Sequence, residues 1–190
     1  MERIHPASYA RYHSHGFLSV KKESKDPLLV LVMLHHESRK IIHVNLCDSP
    51  TAEWMKQQFL LAFSDMPGIT RVLCDNDPLF KCLHEYARDM FQLDVVHTQV
   101  RSPFQNPFVE RVIRTIREEL TDFMLPFSKT ILLQRLLEYK DYYNNHRTHT
   151  SLELNSPSGS SNLRPGPSYR LKSQPVLGGL HHTYHWKKAA

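Results

Sequence analysis

Two carboxylates in this chain stand where acids do chemistry. Asp75 ends the short apolar run Val72-Leu73-Cys74 and is followed by Asn76-Asp77-Pro78, residues that stop a strand. Glu110 lies a few residues into a helix predicted to open at Pro107, after the Pro- and Asn-rich loop Ser102-Pro103-Phe104-Gln105-Asn106. Two carboxylates carried on rigid elements and brought together can hold a divalent cation. Oxygen ligands suit Mg²⁺ and Mn²⁺, and two-metal sites use acids as bridging and end ligands. The same residues also have a structural use. An Asp after a strand caps a turn, and a Glu in a first helical turn offsets the helix dipole. The residues alone leave both readings open.

The elements that must position these acids are legible from periodicity. Residues 1–12 form a lead-in. His13–Val20 reads as a strand, Lys21–Pro27 as a charged turn, and Leu28–His35 as a near-continuous apolar run, as expected of a central strand covered on both faces. Arg39–Leu46 completes an antiparallel meander. A helix is predicted from Ser49, its expected cap, to Phe63, with Trp54, Phe59, Leu60 and Phe63 facing inward. Arg71–Cys74 is a fourth strand, Leu79–Met90 a helix, Leu93–Val96 a fifth strand, Pro107–Met124 the helix of Glu110. Leu132–Tyr143 is another amphipathic helix, packing through Leu133, Leu136, Leu137 and Tyr143. A meander followed by strand–helix–strand–helix order gives a mixed α/β layer. From Asn155 the composition turns to Ser, Pro and Gly, which reads as a linker and a C-terminal tail. The domain reading is thus lead-in 1–12, core 13–154, and linker and tail 155–190.

Several separated blocks resemble one family. Asp75-Asn76-Asp77 with Phe80, and Ser102-Pro103-Phe104-Gln105-Asn106 with Glu110-Arg111, resemble the second and third acidic motifs of the retroviral-type (DDE) integrase core of insertion-sequence transposases. Thirty-four residues separate the two acids. Ser49–Trp54, Tyr142–His149 and Val176–His182 resemble further pieces of it, in the same order. The likeness spans roughly residues 16–188. It implies an RNase H-like fold, a mixed five-stranded sheet flanked by helices with a C-terminal tail. It also implies DNA as partner, two Mg²⁺ or Mn²⁺ ions held by Asp75 and Glu110, DNA integration and transposition as the activity, and a homodimer or higher oligomer.

The family places a third acid on the first strand, and the equivalent position here is Gly16. The two apolar residues that follow that acid are present as Phe17 and Leu18, but the acid is not. Glycine has no atom to ligate a metal. Asp26 is about 30 Å of extended chain away. His13 and His15 flank the slot, but alternation points them to the opposite face. Asp77 reads better as a turn or helix-capping residue. Losing a shared ligand weakens both ions, and removing a central electrostatic element commonly lowers rate about 10²–10³-fold. The expectation is a degenerate core, the alternative being a non-catalytic DNA-binding or dimerising remnant.

Arg101, Lys129, Arg147 and Lys172 are candidate phosphate contacts. Gln105 and Asn106 lie in the loop where the resemblance implies contact with DNA near the cut site. Arg147, His149 and Leu152 close the core and read as structural. A helix-turn-helix region that such transposases carry upstream would not fit before Gly16, so the chain is expected to be the catalytic part alone. The 190 residues are 41% hydrophobic and 23% charged, with a net charge of +5, which suits a nucleic-acid partner. Three cysteines without pairing spacings point to a reducing compartment, the cytoplasm. The longest apolar run, Leu28–Leu34, is too short to span a membrane. Thirteen histidines lack zinc-ligand spacing and are expected on the surface or at nucleic acid.

Overall fold

The computed structural model describes residues 12–20, 27–66, 69–74, 80, 83–98, 106–124, 128–159 and 165–189. The chain divides into two compact units, Met1–Leu133 and Gln134–Ala190, with the division inside a helix.

The first unit is a five-stranded mixed sheet in the order β3-β2-β1-β4-β5. Strands β1 (Tyr12–Val20), β2 (Leu28–His35) and β3 (Ile41–Cys47) form the expected antiparallel meander. Strand β4 (Arg71–Cys74) joins β1 in parallel and β5 (Asp94–His97) joins β4. Six of the eight β2 residues are buried, which its unbroken apolar run requires of a strand covered on both sides.

On one face lie α1 (Ala52–Phe63) and α2 (Leu83–Phe91). Their Met55, Phe59, Phe63, Leu83 and Ala87 pack with Leu31, Met33, Val72, Cys74 and Val95 of the sheet. The cap of α1 is Thr51, not Ser49: its hydroxyl accepts from the Trp54 amide at 3.2 Å. Leu60 points outward, 42% exposed, because the sheet takes the stripe through Met55, Phe59, Ala62 and Phe63 instead. Trp54 packs at the edge of this core.

The opposite face is covered by α3 (Pro107–Glu119), which contacts β1 and β2. Its buried Val109, Val112, Ile113 and Ile116 recur at the spacing of one helical face. A 3-10 turn over Thr121–Phe123 follows, so the regular helix ends five residues before Met124.

In the second unit, α4 (Lys129–Asn145), whose first turn belongs to unit one, buries Leu136, Tyr139 and Tyr143. Leu137, expected to pack, is 48% exposed, because it stands about 100° round the helix from buried Leu136. The tail is an antiparallel hairpin of β6 (Tyr169–Val176) and β7 (His181–Lys188). Its root is fastened to α4 by His181 stacked on Tyr142, with ring centroids 4.7 Å apart, and by the Leu177 amide donating to Glu138 Oε1 at 2.5 Å.

Candidate active site

The candidate site is built where β1, the end of β4 and the start of α3 meet. Pairing of β1 with β4 runs Tyr12–Arg71, His13–Val72 and Ser14–Leu73. One step on, His15 Nε2 lies 2.9 Å from Cys74 Sγ. Gly16 therefore follows a residue that touches the one before Asp75. Asp75 itself, with Asp77, Arg101 and Gln105, lies outside the described residues.

The β1 side chains divide as alternation requires. His13 and His15 turn to the α1 side, where His13 meets Phe63 at 5.6 Å and His15 meets Phe80 at 4.3 Å and Phe59 at 5.8 Å. Neither histidine shares the Gly16 face. That face looks at α3. A Cβ added at Gly16 would lie 2.8 Å from Ile113 Cδ1 and 3.4 Å from Val109 Cγ1. Methyl groups thus fill the place where a first-strand side chain would begin.

Glu110 is the residue after Val109, exposed in the first turn of α3 where the helix dipole favours a carboxylate. The start of α3 is pinned twice. The Asn106 side-chain amide donates to the His15 carbonyl at 3.1 Å, across 91 residues of sequence. The Arg39 guanidinium sits 3.6 Å from the Phe108 ring centroid. Asn106 is 1% exposed, so its side chain is an internal tie between α3 and β1. Sequence reasoning missed both pins. An Asn before Pro announces a helix start but not a partner so far along the chain.

Of the other candidates, Lys129 Nζ pairs with Asp48 Oδ2 at 2.9 Å, both about half exposed. Arg147 lies over the Tyr143 ring at 5.6 Å and approaches His149 Nδ1 at 3.3 Å. His149 in turn bridges to Asn155, which fits a structural closing turn. Lys172 is exposed on β6. These residues are distributed over both units, and among the described candidates only Gly16, Asn106 and Glu110 converge on the β1–α3 contact.

The histidines correct the sequence reading. His13, His15 and His36 are buried, not on the surface. Burial lowers His13 to a pKa of about 3, helped by neighbouring His35 and His36. Burial and His97 lower His15 to about 3, and burial with Arg39 and His35 lowers His36 to about 4. All three are neutral imidazoles at neutral pH. Among the described residues no group of three or more His, Cys, Asp or Glu could hold a metal ion.

A 3-2-1-4-5 mixed sheet, with α1 and α2 on one face and α3 crossing β1 and β2 on the other, is the RNase H-like architecture of integrase and transposase catalytic cores. A chain of the simian T-cell lymphotropic virus intasome superposes with a TM-score of 0.64 at 14% identity, over 94% of this chain and 66% of that one. The HTLV-2 integrase catalytic core, solved in complex with magnesium in a dimeric form, gives 0.62 at 15% identity over 79% and 94%. The catalytic domain of Mos1 mariner transposase gives 0.57 at 12% identity over 70% and 71%. At these identities the likeness is one of fold. Residues 92–157, from β5 to the turn after α4, match the family model of the integrase core domain. That stretch contains Glu110 and includes neither Gly16 nor Asp75. No match was found among curated proteins.

Proposed function

We propose that the chain is a DDE-type transposase or integrase core whose DNA-strand-transfer chemistry is impaired at the first acid position. The observation that carries this is Gly16. It sits on β1 beside the end of the strand that leads to Asp75, and it faces the residues flanking Glu110, yet offers no oxygen. Asp75 and Glu110 are the ligands left for Mg²⁺ or Mn²⁺. In a complete site two such ions would supply activation of the attacking oxygen and charge stabilisation of the leaving one. Here the Gly16 slot is filled by Val109 and Ile113 methyls, so the described residues do not fit a shared two-ion site. What the chain's own residues supply is the frame. Asn106 and Arg39 hold the start of α3 against β1, and the sheet brings the end of β4 beside it.

DNA is the proposed partner, contacted by Arg101, Gln105, Lys129, Arg147 and Lys172, with assembly as a homodimer or higher oligomer. Among the described residues no helix is long and apolar enough to cross a membrane. Cys47 and Cys74 are buried thiols, which suits action in the reducing cytoplasm.

The test is cleavage and strand transfer on supercoiled plasmid in Mn²⁺, comparing the chain with Gly16→Asp/Ile113→Val. The second change makes room for the new Cβ. Activity confined to the double variant supports the assignment. Equal activity in both chains refutes the role given to Gly16. Silence in both, with DNA affinity that survives chelation, favours the second reading, a non-catalytic DNA-binding remnant.

A further inference from the structure

The net charge of the chain is not spread over it. Residues 1–153 contain nineteen Lys and Arg and nineteen Asp and Glu, and cancel. Residues 154–190 contain five Lys and Arg and no acid, and so carry the whole +5. Four of the five basic residues lie on the β6–β7 hairpin: Arg170, Lys172, Lys187 and Lys188.

The register gathers three of them on one face. Arg170 and Lys172 alternate along β6 and so point the same way, while Lys187 stands directly opposite Arg170. All three are exposed. None makes an ion pair among the described residues. Like charges directly across an antiparallel pair destabilise it, and a two-stranded hairpin is marginal to begin with. The arrangement makes physical sense if an anionic partner bridges the pair. The hairpin is fastened to α4 beside the β6–β7 turn, and Arg170 and Lys187 lie toward its other end.

We propose that this hairpin is a DNA-backbone-binding arm, in which Arg170, Lys172 and Lys187 contact phosphates without reading sequence. A regular duplex supplies a row of phosphates for a row of cations. The inference rests on DNA as the partner of the core, and it names the surface that carries most of the non-specific affinity.

The experiment is fluorescence anisotropy with a labelled random-sequence 30-base-pair duplex, titrated over a range of salt in EDTA, using the full chain. Three chains are compared: the parent, Arg170→Gln/Lys172→Gln/Lys187→Gln, and a charge-matched control, Lys56→Gln/Arg71→Gln/Arg88→Gln. The hairpin variant is expected to bind with a log–log salt slope smaller by about 2–3, from about 0.9 per lost phosphate contact. The control should keep the parent's slope. Without DNA the hairpin variant should melt no lower than the parent, because a like-charge pair has been relieved. An unchanged slope in the hairpin variant, an equal loss in the control, or no duplex binding at about 50 mM salt, where phosphate contacts are strongest, overturns the proposal. The last result would point the face to an acidic protein. Because EDTA removes any metal chemistry, failure here leaves the Gly16 cleavage test standing, and failure there leaves this one.

Discussion

Acid should unfold this protein earlier than its carboxylates alone would require. His13, His15 and His36 are buried, and each has its pKa lowered from 6.5 to about 3, 3 and 4. In the unfolded chain they take up protons near pH 6.5. In the folded chain they do so only far below it. The unfolded state therefore binds more protons throughout the window between. Their contribution is complete above about pH 6.5 and is lost as pH falls toward 4 and then 3. Each shifted histidine approaches about 1.4 kcal/mol per pH unit in that window, so the three together remove about 4 kcal/mol between pH 7 and 5.5. That is a large share of an ordinary domain stability of about 5–15 kcal/mol. Urea unfolding followed by tryptophan fluorescence at pH 7.5, 6.5 and 5.5 measures it directly. His13→Leu should flatten the pH dependence by about a third, since one of three titrating groups is gone. A free energy of unfolding that stays level from pH 7 to 5.5, or a slope that His13→Leu leaves unaltered, would refute the reasoning.

Three other perturbations probe the β1–α3 contact. Gly16→Ala places a Cβ 2.8 Å from Ile113 Cδ1, the far end of a side chain that must shift, and should destabilise by no more than about 1 kcal/mol in thermal or urea melts, with Ile113→Val relieving the contact. Asn106→Ala leaves the His15 carbonyl without its side-chain donor and should lower stability by about 1–3 kcal/mol, whereas a surface contact would give almost none. Glu110→Gln should leave the melting temperature nearly unchanged, since Glu110 is exposed, but should abolish any cleavage that Gly16→Asp/Ile113→Val acquires.

Much of the frame is written in local pattern. The unbroken apolar run of β2 and the 109/112/113/116 spacing of α3 each specify an element and a covered face, because periodicity is a property of neighbours along the chain. That Gly16 stands at the position proposed for the first acid is likewise a reading of the sequence. Other features depended on what lies opposite. Thr51 and Ser49 are equally good caps by composition, and where the helix axis begins decided between them. Leu60 and Leu137 look like core residues and are half exposed, because the packed surface of a helix is chosen by its partner. His13, His15 and His36 read as surface imidazoles, but β1 and the turn after β2 are closed over by α1 and α3. The tie from Asn106 to β1 spans 91 residues, and the methyls beside Gly16 come from residues farther still along the chain. Sequence by itself determined which elements exist and that position 16 carries no side chain. Tertiary structure decided what surrounds that vacancy, because burial and long-range hydrogen bonds are set by segments that meet only when the chain has folded.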